Sequence, residues 1–391
     1  MTQSEVVTKT SNLRLIARGY RDELRKRAQE IEEARRLPAD LSDRFAESGF
    51  YRMCVPEIYG GLELAPAQTM ETIEILARAD GASAWCVFIG ATSGSVLSML
   101  GDSAAREIFS DSNCLISGVF APRGKATVVE GGYQVDGVWQ WGSGTQNADW
   151  ILAGCRIIRD GEPARMKNGT PRSTMMLVPA EQVEFLDTWH VSGLCGTGST
   201  DYAIRGIFVP DAHAVGVGID GPLEKPLYAF PHFGLLGMGI AAVSLGLARA
   251  AIDELIEVAG GKTPSGSARP LATRASAQAE VSRAEAGLRS ARAFFYEAIG
   301  AAWEAAEANG RIETRHRLDI RLATTSATHA CAEAVDRMYN LGGGSSVYRH
   351  SPLQRIFRDV HVATQHMMVS PATLELTGRI LLGLETDTAM L

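Results

Sequence analysis

The six cysteines of this sequence lack the spacing that a zinc site, a redox pair or an iron–sulfur cluster requires. No two form a C-x-x-C pair, and they lie far apart, at Cys54, Cys86, Cys114, Cys155, Cys195 and Cys331. We expect most of them to be small buried hydrophobic residues. A di-iron bundle needs two E-x-x-H motifs, but the chain has one, at 313–316, so no metal site is predicted.

Clustered positive charge is also missing. The 38 Lys and Arg residues are outnumbered by 45 Asp and Glu residues, and no basic run suits nucleic acid. The longest apolar stretch, 233–248, is shorter than the ~20 residues that span a bilayer, so we expect a buried helix. Residues 1–5 lack the basic start of a signal peptide. These absences predict a cytoplasmic protein that binds neither nucleic acid nor membrane.

Two nucleotide-binding fingerprints are absent as well. No G-x-G-x-x-G opens a helix after a strand, and no G-x-x-x-x-G-K-[ST] occurs, so neither a Rossmann site nor a P-loop is predicted. What the chain does have is length and an ordinary globular composition. Its 391 residues are 46% hydrophobic and 21% charged, which suggests two or three packed units with room for a buried site.

The hydrophobic period changes twice along the chain and predicts a mainly α protein with a central β domain. Residues 1–113 have the helical period, with a buried, almost uncharged helix over 82–99. An apolar stripe in this N-terminal helical domain is formed by Leu41, Phe45, Phe50 and Met53. Residues 218–391 return to that period and predict an antiparallel C-terminal four-helix bundle. Its helices are expected over 235–259, 274–309, 312–341 and 360–384.

Between these parts, residues 114–217 alternate between apolar and polar positions in short runs. Gly131–Gly132 and Asp136–Gly137 interrupt the runs as turns would, which is typical of hairpins in an antiparallel sheet. Further strands are expected over 151–158, 173–178 and 202–209. We therefore predict a small antiparallel β domain.

Three glycine-containing segments could bind a ligand. The first, 139–150, includes Trp141, Ser143 and Gly144, and could place an aromatic wall and backbone donors beside a planar heterocycle. It could equally be a packed strand end with a turn. The second, 193–201, contains Ser199 and permits close approach of backbone to a ligand, or simply connects strands.

The third segment ends a predicted helix with three glycines. Their amides could face a phosphate, although a helix stop is the simpler interpretation. The residues are Gly342, Gly343 and Gly344, followed by the pair Arg358–Asp359.

Taken together and in this order, these segments resemble the acyl-CoA dehydrogenase superfamily over nearly the whole chain. The residues that carry the resemblance are 37–38, 56–61, 196–210, 341–344 and 358–359. The resemblance implies an N-terminal helical domain, a central β domain and a C-terminal four-helix bundle. It also implies a flavin held between sheet and bundle, and a homotetramer.

The dehydrogenases of this superfamily need a glutamate base, and the sequence has no carboxylate at either of its two known locations. One location follows the Arg-Asp pair, but no Asp or Glu occurs between Asp359 and Glu375. The other is the first bundle helix, where none occurs between Glu224 and Asp253. The sequence therefore argues against α,β-dehydrogenation of an acyl thioester.

The segment after the Arg-Asp pair contains His366, and with 141–144 and 196–199 it is similar to the two-component flavin monooxygenases of this fold, such as the 4-hydroxyphenylacetate and seco-steroid phenol hydroxylases. This resemblance implies that a separate reductase supplies reduced FMN or FAD. Oxygen then forms a flavin hydroperoxide that hydroxylates an aromatic, phenolic substrate. The implied catalytic residues are His366 and Ser143. The implied flavin-binding residues are Trp141, Ser143, Gly144, Ser199, Gly342, Gly343 and Gly344.

These residue types suit that chemistry. A neutral imidazole at position 366 could accept a phenolic proton, and the hydroxyl of Ser143 could bond to the flavin in a dry pocket. His361 is a further candidate, but five positions along a helix would not place it on one face with His366. Several phenol hydroxylases carry a histidine where this chain has Gln146–Asn147.

Two other functions stay open at this point. An acyl-CoA dehydrogenase or oxidase with an unusual base would be reduced by thioesters. A non-catalytic flavin-binding scaffold would be indifferent to the loss of His366.

Overall fold

Helices dominate the N-terminal part of the chain in the computed structural model, which describes residues 12–166, 169–218, 221–264 and 266–391. They are α1 (12–19), α2 (Arg21–Ala34), α3 (Ala39–Glu47), α4 (Pro66–Ala77), α5 (Gly81–Ser93) and α6 (Asp102–Ile108). All four side chains of the predicted apolar stripe are fully buried, so this prediction is confirmed. Residues 1–5, on which the argument against a signal peptide rests, lie outside the described residues.

Helix α5 lies antiparallel to α7 (His232–Ala259) in the middle of the molecule. Three contacts fix this direction, since the residue numbers rise along one segment and fall along the other: Gly81 with Leu247, Phe88 with Gly239, and Ser95, in the 3-10 turn that continues α5, with His232. Two segments, Gly81–Met99 and His232–Ala259, are long and apolar enough to cross a membrane, but 89% of each apolar window is buried. They are core helices, as predicted for 233–248.

The described middle of the chain forms a seven-stranded sheet. Its strands are β1 (Ile116–Val129), β2 (Gly132–Gly142), β3 (Trp150–Arg159), β4 (Glu162–Pro163), β5 (Ser173–Pro179), β6 (Glu184–Leu186) and β7 (Thr200–Pro210). The order is β4-β3-β1-β2-β7-β6, with β5 beside β3. The prediction of a wholly antiparallel sheet is wrong, because β3 lies on the far side of β1 and pairs with it in parallel. Two reversals of direction, into β2 and then into β3, give β3 the direction of β1.

Only one of the two predicted turns in this region is a turn. Gly131, with φ +76°, connects β1 to β2 as expected. Asp136–Gly137 instead lies inside β2, where the register with β7 shifts. A Cβ on Gly137 would come within 2.7 Å of the Gly124 Cα, so this glycine permits close packing at a β-bulge.

The C-terminal part returns to helices, as predicted. After α7 come α8 (Ala275–Asn309), α9 (Thr314–Gly342), α10 (Pro352–Thr364) and α11 (Pro371–Leu381). The prediction of one helix over 360–384 is wrong, because the helix is interrupted between α10 and α11. Pro371 has no N–H to continue a helix and forces Ser370 into an extended conformation, with ψ 160°. The domain boundaries after residues 113 and 217 stay predictions.

The Arg358–Asp359 pair fastens α10 to the rest of the fold. The buried Asp359 carboxylate accepts a hydrogen bond from the Leu194 N–H at 2.6 Å. Arg358 forms an ion pair with Glu32 of α2 at 2.9 Å. Gly193 has no side chain where one would meet the Arg358 carbonyl at 2.4 Å. These contacts set the position of α10 and of the helix interruption that follows it at residues 365–370.

Candidate active site

A chain of three buried hydroxyl groups lies where β2 ends and β7 begins. Ser143 Oγ is 2.6 Å from Ser199 Oγ, which is 2.6 Å from Thr197 Oγ1. Because Thr197 donates its hydroxyl proton to the Leu194 carbonyl at 2.8 Å, Ser199 must donate to Thr197 and Ser143 to Ser199. Two segments that the sequence separates by more than fifty residues therefore meet, as their predicted roles require.

The Ser143 oxygen also accepts a hydrogen bond from an indole. Trp85 Nε1–H donates to Ser143 Oγ at 3.0 Å, and both groups are buried. A hydroxyl oxygen has one proton and two lone pairs. Since the proton and one lone pair are in use, Ser143 retains one lone pair that can accept a bond from a ligand.

Trp141 and Gly144 leave open space beside this hydroxyl chain. Trp141 has φ +68°, unusual for a residue with a side chain, and 66% of its surface is exposed. Gly144 has φ +70°, and a Cβ built on it would meet nothing nearer than 3.9 Å. An exposed ring, an open glycine and buried hydroxyl groups fit a planar cofactor such as a flavin, for which Trp141, Ser143, Gly144 and Ser199 are the candidate contacts.

Trp85 was not predicted from the sequence to belong to the site. Its ring lies on α5, 6.0 Å from the His366 ring between centroids and 4.9 Å from Phe88. The same indole therefore contacts both predicted catalytic residues, Ser143 through its N–H and His366 through its ring. The available signal was a lone tryptophan in the uncharged helix over 82–99, a position where a large side chain with a polar atom needs a partner.

His366 lies in the break between α10 and α11 and caps the short turn Met367–Val369. Its Nδ1 accepts a hydrogen bond from the Met368 N–H at 3.2 Å. In the neutral ring the proton is therefore on Nε2, which acts as a donor. Burial and then the charge of Arg321 lower the pKa of His366 to about 4, so the ring is neutral near pH 7.

This hydrogen bond changes the role that the sequence suggested for His366. A general base needs a free nitrogen lone pair, but the lone pair on Nδ1 already receives a backbone N–H. The geometry instead presents an N–H donor. Proton uptake by this ring would require the bond to Met368 to break.

Arg321 of α9 holds the segment between α10 and α11 in place, and it too was not predicted from the sequence. It is buried, and donates to the Met368 carbonyl and to the Met390 carbonyl, each at 2.8 Å. Among the described residues no carboxylate pairs with it. Burial lowers the pKa of Arg321 to about 10, so the side chain keeps its charge at neutral pH. Nothing in the local sequence marks this arginine, because its partners are backbone atoms far along the chain.

Two predicted groups lie elsewhere. His361 is on α10, where its Nε2 is 2.8 Å from Asp336 Oδ1 of α9, apart from His366 as its spacing suggested. Gly342 ends α9 and Gly343 begins the next turn with φ +57°. In the described residues no hydrogen bond joins this turn to Ser143, and the Lys262 ammonium donates to the Gly342 carbonyl instead.

The described residues around the break contain no carboxylate that could replace the missing base. Asp359 is bound by the Leu194 N–H, and burial raises its pKa to about 7. Asp80 caps α5 by accepting from the Ser83 N–H at 2.8 Å. All six cysteines are buried, as expected, and burial raises the pKa of Cys86 beside this region to about 12.

Comparison with known proteins adds to this geometry. The sequence matches the acyl-CoA dehydrogenase N-terminal domain family over residues 13–110 and the C-terminal domain family over residues 238–371. It is 35% identical to an indole-3-acetate monooxygenase of Pseudomonas putida, over 93% of this chain and 92% of that protein. The chain belongs to the acyl-CoA dehydrogenase family, among its flavin-dependent monooxygenases.

Solved structures agree with this membership. The HsaA monooxygenase from M. tuberculosis superposes with a TM-score of 0.89 at 26% identity, covering 98% of this chain and 100% of the other. XiaF from Streptomyces, in complex with FADH2 and glycerol, superposes with a TM-score of 0.90 at 25% identity, covering 100% of this chain and 99% of the other. This flavin-dependent monooxygenase is therefore an oxidoreductase that uses reduced flavin and oxygen. As an oxygenase component it implies a separate flavin reductase and an aromatic substrate.

Proposed function

We propose that the protein hydroxylates a small aromatic molecule that carries a phenolic hydroxyl or a ring N–H, using reduced flavin from a separate reductase. Ser143 is the observation that carries the proposal. Its hydroxyl proton and one lone pair are already committed, so the remaining lone pair accepts from a donor. Reduction of a flavin places an N–H on its central ring, where the oxidised ring has a bare nitrogen. The polarity of Ser143 therefore suits the reduced form.

The residues divide the work between two sides of the pocket. Bound flavin supplies the activation of oxygen. On the sheet side, Ser199 and the indole N–H of Trp85, which reaches across from α5, orient the Ser143 hydroxyl, and Trp141 and Gly144 provide a wall and a close backbone approach. On the helical side, the His366 Nε2–H donates to an oxygen atom and stabilises negative charge that develops there. A preoriented donor in a site that excludes water is effective at this task.

A further part of the proposal concerns assembly and the cofactor's phosphates. Leu381, Leu382 and Leu384, at the end of α11, are 65%, 78% and 51% exposed and would be covered by another copy of the chain. The Lys262 ammonium donates to the Gly342 carbonyl and to Ser345 Oγ, so it brings positive charge for a phosphate group to the turn that contains Gly343 and Gly344. We propose a cytoplasmic homotetramer in which these groups bind the flavin phosphates.

The test combines the purified protein with a flavin reductase, NADH and aromatic candidates that include 4-hydroxyphenylacetate and indole-3-acetate, the compound named for the Pseudomonas relative. We expect a hydroxylated product by mass spectrometry only when reductase and oxygen are both present. A parallel assay mixes the oxidised, flavin-bound enzyme with acyl-CoAs without oxygen. Flavin reduction by a thioester, without any hydroxylated aromatic, would refute the proposal in favour of a dehydrogenase.

A further inference from the structure

We propose that His232 is a specificity-determining residue whose free Nε2 accepts a hydrogen bond from an N–H or O–H group of the aromatic substrate. This inference rests on the proposed function, because it assigns a further substrate-binding group to the same candidate active site. His232 begins α7, and it takes no part in the chemistry assigned above to Ser143 and His366.

The neighbours of His232 determine which of its nitrogens carries the proton. Ser95 Oγ donates its single proton to the Thr92 carbonyl at 2.7 Å. The same oxygen is 3.3 Å from His232 Nδ1, so it can only accept there. The proton of the neutral imidazole is therefore on Nδ1, and Nε2 presents a lone pair.

That lone pair has no partner among the residues that the structure describes. His232 Nε2 is buried and makes no hydrogen bond among the described residues. Burial also lowers the pKa of His232 to about 3, so the ring does not gain a proton near neutral pH. A buried acceptor left without a donor is unfavourable, and such groups in folded proteins usually meet a ligand or an ordered water. Because this acceptor cannot switch to a donor while Ser95 is in place, it selects for a donor on the ligand.

Two elements of the fold connect His232 to the candidate active site. Trp85 and Phe88 lie on α5, and Ser95 lies in the 3-10 turn Gly94–Met99 that continues it, so the contact with His366 and the contact with His232 lie roughly 15 Å apart along one wall. On β1, Ser117 donates to the Ser143 carbonyl at 2.5 Å. Three residues further, the Phe120 ring lies 3.8 Å from the His232 ring between centroids.

The pair Phe120 and His232 therefore forms an aromatic end to this wall. A fused two-ring molecule, or one ring with a short side chain, is the kind of ligand that would lie along this wall with a donor group at His232. The substrate class that fits is a flat aromatic with a ring N–H or a phenolic O–H directed at His232.

The experiment measures equilibrium binding to the flavin-bound enzyme by calorimetry, with two matched pairs of probes. Indole-3-acetate is compared with benzofuran-3-acetate, which replaces the ring N–H by oxygen. 4-Hydroxyphenylacetate is compared with 4-fluorophenylacetate. In the wild-type enzyme the donor-bearing member of at least one pair should bind about 10-fold more tightly, the contribution of one well-placed hydrogen bond.

Three variants test the assignment. His232→Leu should reduce the preference to within about 2-fold, and His232→Gln, whose amide oxygen can reach the same place, should restore part of it. Ser95→Ala keeps the imidazole but frees its tautomer, so we expect an intermediate preference. Flavin affinity and the melting temperature confirm that each variant is folded.

The inference is overturned if neither pair binds, if wild type shows no preference, or if His232→Leu leaves the preference unchanged. A preference that depends on His232 without any hydroxylated product would refute the proposed function and leave the binding assignment intact. Hydroxylation without such a preference would refute the assignment of His232 and leave the proposed function intact.

Discussion

The imidazoles of His366 and His232 have the same charge, but their free ring nitrogens have opposite hydrogen-bonding roles. Burial lowers the pKa of both, to about 4 and about 3 respectively, so both are neutral near pH 7. At His366 the Nδ1 atom accepts from a backbone N–H, whereas at His232 the Nδ1 atom donates to a serine oxygen. One therefore offers a donor at Nε2 and the other an acceptor. A single neighbour decides what each ring can recognise, since the ring itself is the same.

The largest effect is expected at the donor. His366→Ala should lower the rate of hydroxylation by about 100-fold, the usual loss when a donor to a developing negative charge is removed. Flavin binding should be retained, because Ser143 and its partners lie on the sheet side. Steady-state product formation and flavin titration measure the two properties.

A second substitution at this position separates a donor from a base. The amide N–H of Gln can occupy the place of Nε2–H, so His366→Gln should keep clearly more activity than His366→Ala. If the two variants are equally inactive, the ring acts by taking up a proton instead. His361→Ala is the matched control, because that histidine forms a partly exposed hydrogen bond between α10 and Asp336 of α9, and its loss should leave the rate unchanged.

The next effect concerns the segment that holds His366. Arg321→Leu leaves the Met368 and Met390 carbonyls without their donor, partly offset by removal of a buried charge, so we expect a loss of about 2 kcal/mol in unfolding free energy. Amide hydrogen exchange should accelerate at 366–369. Arg317→Leu, which loses one 3.3 Å bond to Thr388, is the control and should cost less than about 1 kcal/mol. Equal losses in both variants would show that Arg321 has no special role.

A smaller effect is expected at the indole between the two sides. Trp85→Phe keeps a ring against His366 and removes the N–H that orients Ser143. We expect a loss of roughly 5- to 10-fold in hydroxylation, with more reduced flavin oxidised without product. The ratio of hydrogen peroxide to hydroxylated product measures this uncoupling. An unchanged ratio would mean that the orientation of Ser143 does not depend on Trp85.

The last prediction concerns pH. Both rings have a pKa below the ordinary value of 6.5, so the folded protein binds fewer protons than the unfolded chain at these positions. Their contribution to stability should be complete above pH about 6.5 and should be lost as the pH falls toward 4 and 3. Thermal unfolding at several pH values between 4 and 7 measures the slope of stability against pH. His232→Leu should flatten it, and an unchanged slope would contradict the burial of this ring.

Much of this architecture could be predicted from sequence because it depends on local pattern. The apolar stripe of the first domain, the Gly131 turn and the absence of carboxylates near position 366 are all visible in short stretches. The meeting of Ser143 with Ser199 was expected through the family resemblance. The parallel pairing of β1 with β3 was missed, because strand order depends on where the chain returns after β2.

The donor or acceptor role of each histidine could not be predicted, since it depends on contacts between distant residues. The proton on His366 is placed by a backbone N–H, and the proton on His232 by a serine on another helix. Trp85 and Arg321 were missed for the same reason, because their partners lie far along the chain. The interruption between α10 and α11 was missed because a helical period continues across it, although Pro371 is the residue that stops the helix.

Isotope labelling identifies the source of the oxygen atom that enters the product. Reduced flavin from the reductase, the aromatic substrate and ¹⁸O₂ are mixed with the enzyme, and the product is analysed by mass spectrometry. We expect one atom of ¹⁸O in each newly formed hydroxyl group, with the yield strongly reduced in His366→Ala. A product whose oxygen comes from water, or a flavin that reacts only with acyl thioesters, would contradict it.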